Sequence, residues 1–74
     1  MYKIKPELAE RLKDGRSNAY LSEATSRGLT MISLVFNGAK CSEILAKALI
    51  SIRERIPMND DKMKELLEYY FEKI

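Results

Sequence analysis

Apolar side chains along this chain recur mostly at intervals of three and four, the spacing that gathers them on one face of an α-helix. Leu8 and Leu12 form the first such pair, with Glu10, Arg11 and Lys13 around them. Pro6 suits a first helical turn and Gly15 a stop, so a helix is predicted over about 6–14. Ser17 is a good N-cap for a second, short helix in which Ala19, Tyr20, Leu21 and Ala24 offer a small, close-packing face. Leu29, Ile32, Val35 and Phe36 predict a third helix over about 29–36, closed by Asn37-Gly38. Ser42 caps a fourth, with the stripe Ile44, Leu45, Ala48, Leu49 and Ile52, and Pro57 ends it. Asn59 reads as the cap of a fifth helix over about 60–73, with Met58 and Met63 at the positions of a hydrophobic staple. Its stripe is Met63, Leu66, Leu67, Tyr70, Phe71 and Ile74. Ahead of the first helix, Tyr2 and Ile4 alternate with Lys3 and Lys5 and fit a core edge. Five short helices with no internal repeat predict an all-α domain filling residues 1–74.

Composition narrows the function classes. A chain of 74 residues is near the lower limit for one self-supporting core, and the lone Cys41 offers no disulfide to help. One thiol and no histidine leave no structural zinc site, and no cofactor is expected. The apolar runs are too short to span a bilayer, and Met1-Tyr2-Lys3 begins no signal peptide, so a cytoplasmic protein is expected, with no membrane partner. Catalysis is not expected either. No glycine-rich phosphate loop or activated nucleophile is evident, and Asp60-Asp61 reads as capping charge on a helix start. Charge is uneven along the chain: residues 1–55 carry ten basic and six acidic side chains, net +4, and residues 56–74 carry three and five, net −2. That is the distribution of a small nucleic-acid binder with a separate assembly segment.

The basic part contains residues 17–40, two short amphipathic segments joined by Thr25-Ser26-Arg27-Gly28, which is the helix-turn-helix plan. Two backbone solutions of the turn are open. Ser26 takes the left-handed conformation at a cost of about 1 kcal/mol, or Gly28 takes it, the second helix lengthens and Thr30 caps a shorter third one. Leu21, Ile32-Ser33 and Phe36-Asn37-Gly38, followed by a basic loop and a fourth amphipathic helix, resemble the Cro and repressor proteins of phages with an XRE-type helix-turn-helix. The string Ile32-Ser33-Leu34-Val35-Phe36-Asn37-Gly38, with Lys40 and Cys41-Ser42 after it, is similar to small Cro-like proteins from phages of low-GC bacteria. The resemblance covers residues 6 to about 55.

The resemblance implies a lambda-repressor-like fold and a transcriptional regulator that inserts its third helix in the major groove of double-stranded DNA. Carried over by position, Leu29, Thr30, Ser33 and Leu34 face base edges, Asn18 fixes a phosphate, and Asn37 to Lys40 grip the next phosphate through backbone amides and the basic side chain. Ile32 and Val35 match core positions. Arg16, Arg27 and Lys40 flank the two-helix stretch and are the expected phosphate cations. None of Leu29, Thr30, Ser33 and Leu34 has the two-pronged chemistry of Arg, Lys, Asn or Gln, so two outcomes are open: modest base discrimination, or a surface that binds protein, as in an antirepressor or an inhibitor of a host protein. For the tail, Leu67, Tyr70, Phe71 and Ile74 are the expected interface of a homodimer or another partner, the alternative being that this stripe completes the chain's own core. Tyr69, Tyr70 and Phe71 cannot all face one side of a helix.

Overall fold

The computed structural model describes residues 1–74. A short strand, β1 (Tyr2–Ile4), leads through a 3-10 turn (Pro6–Leu8) into α1 (Ala9–Lys13). Then follow α2 (Asn18–Thr25), α3 (Leu29–Phe36), α4 (Glu43–Glu54), α5 (Met63–Tyr70) and a last strand, β2 (Phe71–Lys73). The chain is mostly helical, but the all-α expectation is corrected by an antiparallel pair in which Tyr2 faces Lys73, Lys3 faces Glu72 and Ile4 faces Phe71. On its other edge β1 exchanges two backbone hydrogen bonds with Cys41: Tyr2 N–H to the Cys41 carbonyl at 2.8 Å and Cys41 N–H to the Tyr2 carbonyl at 2.7 Å. Both ends of the chain are thereby tied to the loop before α4.

The fifth helix is shorter than its apolar spacing implies, and what ends it is pairing with the other end of the chain. Helical spacing alone would keep Phe71 on the face of Leu67, four residues earlier, but Phe71–Lys73 instead pair with Tyr2–Ile4 as a strand. By leaving the helix at Tyr70, the chain turns Phe71 inward beside Ile4, and all three are buried. Tyr69 stays on the surface, where its hydroxyl accepts a hydrogen bond from Arg11 Nη1 at 3.0 Å. At the other end, Asn59 does not cap α5. Helix α5 starts at Met63, and Asp60 Oδ1 accepts from the Lys62 N–H at 2.9 Å within the preceding turn. With the helix starting at Met63, Met58 and Met63 are not at the positions of a staple; Met58 is exposed and Met63 buried.

Fourteen residues make one core with no buried polar side chain among them. Helix α4 is its axis, packing against α1, α2 and α5. Its buried stripe is Leu45, Ala46, Leu49 and Ile50, one position later than the spacing suggests, and Ile44 is exposed. Leu12, Leu21, Ile32 and Val35 close the core from α1, α2 and α3 as expected. From α2 only Leu21 is buried; Ala19, Tyr20 and Ala24 are exposed, contrary to the expected close-packing face. The tail expectation is corrected for three of its four residues. Leu67, Tyr70 and Phe71 are buried inside the chain, at 6%, 2% and 2% exposure, and cannot also form an interface; Ile74 is exposed.

Candidate functional site

Helices α2 and α3 are set by their ends. Ser17 Oγ accepts from the Tyr20 N–H at 3.0 Å, capping α2 as its sequence predicts. The turn takes the first of its two possible forms: Ser26 is left-handed (φ 57°, ψ 33°), and Gly28 is extended (φ −63°, ψ 148°) as the residue before α3. Three bonds close this turn. The Ser26 N–H reaches the Glu23 carbonyl at 3.2 Å, the Arg27 N–H reaches the Ser22 carbonyl at 3.1 Å, and Ser22 Oγ donates to the Arg27 carbonyl. Helix α3 therefore covers Leu29–Phe36, with Ile32 and Val35 fully buried beneath it.

What those buried residues leave outward is the candidate site. Asn18 and Ala19 from α2, with Leu29, Thr30, Ser33 and Leu34 from α3, line one open groove of about 530 Å³. All four expected base-facing residues and the expected phosphate-fixing Asn18 are thus brought together. Leu29 and Leu34 are each 53% exposed, so neither packs against α1 or the tail. Asn18 Oδ1 is shielded from solvent and has no hydrogen-bond partner in the chain. Tyr20 and Met31 extend the apolar surface beside the groove, at 52% and 47% exposure. Sequence reasoning reads Tyr20 only as a packing residue, because its neighbours in α2 are small.

The expected cations separate into two groups. Arg27 and Lys40 line a second depression, of about 240 Å³, with Met1, Met31, Ser42 and Leu45. Neither forms an ion pair, whereas Arg16 lies 3.3 Å from Asp14 Oδ2 with its guanidinium 5.9 Å from the Tyr20 ring centroid. Arg16 thus has a carboxylate partner within the chain, whereas Arg27 and Lys40 do not; Lys13, also unpaired, lies 5.5 Å from the Phe36 ring centroid at the end of α3. The loop after α3 differs from expectation in its amides. The N–H groups of Asn37, Gly38 and Ala39 donate to carbonyls of Ser33, Leu34 and Val35, closing the helix end, and Asn37 Nδ2 donates to the Ser33 carbonyl at 2.9 Å. Gly38 takes the positive φ, 105°, that this closure requires. Asn37 is therefore a cap whose donors are directed inward, and Lys40 is the loop's available contact.

Cys41 is buried beside β1, and burial pushes its thiol pKa up against the lowering charge of the Met1 ammonium. Farther from α3, another depression of about 400 Å³ lies between α4, the 58–61 loop and α5. Its charges are of both signs, and Lys47 Nζ sits 2.8 Å from Glu43. The Lys47 ammonium beside it, through a hydrogen bond and its charge, holds the Glu43 carboxyl below the usual range. No helix of the chain is long and apolar enough to cross a membrane. No family model, characterised protein or solved structure matches the chain, so the groove and its flanking cations are read on their own chemistry.

Proposed function

We propose that this chain is a DNA-binding transcriptional regulator of the phage or prophage Cro/repressor type, an XRE-like helix-turn-helix domain that lays α3 in the major groove. The observation that carries this reading is the α2–α3 groove, lined by every expected base-facing residue of α3, with the unpaired cations Arg27 and Lys40 in a second depression that also takes in Met31 of α3. With its side chains an α-helix is about 10–12 Å across and fits a major groove about 12 Å wide. In this reading Leu29, Thr30, Ser33 and Leu34 meet base edges. Asn18, Arg27 and Lys40 meet phosphates, with Arg16 contributing once its link to Asp14 opens. The protein acts by occupying an operator in the cytoplasm, as a homodimer whose contact lies outside the core stripe of α5. Ile44 and Ile74 are the most exposed isoleucines and, with Met58 and Tyr69, are apolar side chains available for that contact. Fluorescence anisotropy against the chain's own upstream DNA, at several salt concentrations, tests the proposal. Binding no tighter than to random duplex at every salt concentration rejects it.

A second reading is favoured by one observation, the apolar surface formed by Leu29, Leu34, Met31 and Tyr20. On this reading the same scaffold binds a protein, as an antirepressor or an inhibitor would. Leu34→Lys separates the two: on the protein-binding reading it abolishes a stoichiometric complex measured by light scattering, whereas on the DNA reading the added cation keeps salt-dependent duplex affinity while preference for the chosen site falls.

A further inference from the structure

The outward arc of α3 has an unusual order of side chains for a surface that meets base edges. At about 100° per residue, Leu29, Ser33, Thr30 and Leu34 follow one another around an arc of roughly 140°, so the two hydroxyls lie between the two leucines. Along the axis the leucines are five residues apart, about 7.5 Å, or roughly two base-pair steps of 3.4 Å. No Arg, Lys, Asn or Gln occurs between Leu29 and Phe36, so α3 can make no two-pronged hydrogen bond to guanine or adenine. The hydroxyls of Thr30 and Ser33 can make single bonds to any base.

Leucine side chains discriminate in another way. Three of the four base edges show only hydrogen-bonding groups to the major groove, and a leucine pressed on them leaves those groups without water or partner. Thymine alone presents a methyl group there, whose burial against leucine is favourable. The unpaired Arg27 and Lys40 beside Met31 favour a polyanionic duplex as the occupant of this surface over an apolar protein.

Resting on the DNA-binding reading above, we propose that Leu29 and Leu34 make α3 a reader of thymine methyl groups. The preferred duplex then carries A·T pairs about two steps apart where α3 sits, and discrimination comes from methyl contact and from the rejection of polar base edges.

The test uses the full chain, and duplexes that bind it are selected from a random library. Each thymine of the selected site is then replaced singly by deoxyuridine, which removes the methyl and keeps the pairing. Anisotropy at fixed salt is expected to show about fourfold weaker binding for each methyl that α3 covers. Leu29→Ala and Leu34→Ala are each expected to erase the deoxyuridine effect at one position. Both leucines are half exposed, so the helix does not depend on them, and the comparison of thymine with deoxyuridine on the unaltered chain is independent of any variant's folding. Equal binding of thymine and deoxyuridine duplexes overturns the inference, as do G·C pairs selected under α3 or methyl sensitivity that persists in both alanine variants. Salt-dependent duplex binding without methyl sensitivity removes this inference and leaves the DNA reading standing. A chain that binds no duplex removes both.

Discussion

Ser26 and Arg55 occupy left-handed backbone positions where glycine is usual, with φ of 57° and 59°, and the chain stabilises both in the same way. In each case the serine four residues earlier donates its hydroxyl to the carbonyl one residue later: Ser22 to Arg27 and Ser51 to Ile56. The backbone bonds match as well, with the Arg27 N–H on the Ser22 carbonyl and the Ile56 N–H on the Ser51 carbonyl. Ser22→Ala is therefore expected to lower stability by about 1 kcal/mol, the worth of one such bond. Ser26→Gly is expected to raise it by up to about 1 kcal/mol through relief of the left-handed strain. Urea unfolding of the two variants checks both signs. A third residue-scale effect concerns Tyr70, whose hydroxyl donates to Glu54 Oε2 at 2.9 Å. Burial, and then the Glu54 carboxylate, push its pKa up to about 12 from 10.0. A folded-state value above the unfolded one means that stability is intact below pH 10 and declines as pH rises from 10 toward 12. At 1.36 kcal/mol per pKa unit, the decline attributable to Tyr70 is about 2–3 kcal/mol. Tyr70→Phe should remove that part of the alkaline decline while lowering neutral-pH stability by about 1 kcal/mol. An unfolding series across pH 8–12 for both proteins gives the comparison.

The elements differ in how openly their residues announce them. The starts of α2 and α4 and the end of α3 are legible because each has a local signal, Ser17 and Ser42 as caps and Gly38 as a stop, whereas the α2–α3 turn is not, since Ser26 and Gly28 could each take the left-handed position. The sheet is not legible. Tyr2 and Ile4 show only two inward positions, and Phe71-Glu72-Lys73 continues the three-four spacing of α5, so nothing local separates strand from helix there. What decides it is a non-local preference, the joint burial of Ile4 and Phe71, which no window of the sequence contains. The face of α2 misleads for a similar reason. Alanines at 19 and 24 look like packing residues, and only the position of α4 shows that Leu21 alone turns inward. The site itself is legible wherever it depends on the register of α3, as at Leu29, Thr30, Ser33 and Leu34. It is illegible where loop hydrogen bonds decide, as at Asn37. The sheet carries a prediction at this scale. Phe71→Ala leaves a cavity between β1, β2 and α5 and is expected to cost about 3–5 kcal/mol. Ile74→Lys, three residues on and exposed, should leave the urea midpoint unchanged; if Ile74 belongs to a twofold contact, it should halve the mass measured by light scattering.

At the scale of the whole molecule, charge and oligomeric state are coupled through the salt dependence of DNA binding. Residues 1–55, which include α3, carry net +4, while the acidic residues of 56–74 lie in the 58–61 loop, α5 and β2, so the division of charge follows the division of the sequence. Within the basic part, Arg53 is engaged with the Arg11 carbonyl at 2.8 Å, and Lys47 with Glu43, whereas Arg27 and Lys40 line the depression beside Met31 of α3 without an ion pair. Each phosphate neutralised by such a side chain contributes about −0.9 to the slope of log K against log salt. A monomer losing Arg27 or Lys40 to glutamine should therefore flatten that slope by about 0.9. A twofold dimer on a symmetric site loses two contacts per substitution and should flatten it by about 1.8. Arg16→Gln should change the slope less than either, because the Arg16 guanidinium already has Asp14 and the face of Tyr20. Anisotropy titrations of the three variants from about 50 to 300 mM salt, on one duplex, thus report which cations touch phosphate and how many copies of the chain do so. A slope that Arg27→Gln and Lys40→Gln both leave unchanged would place the duplex elsewhere on the molecule, or remove it altogether.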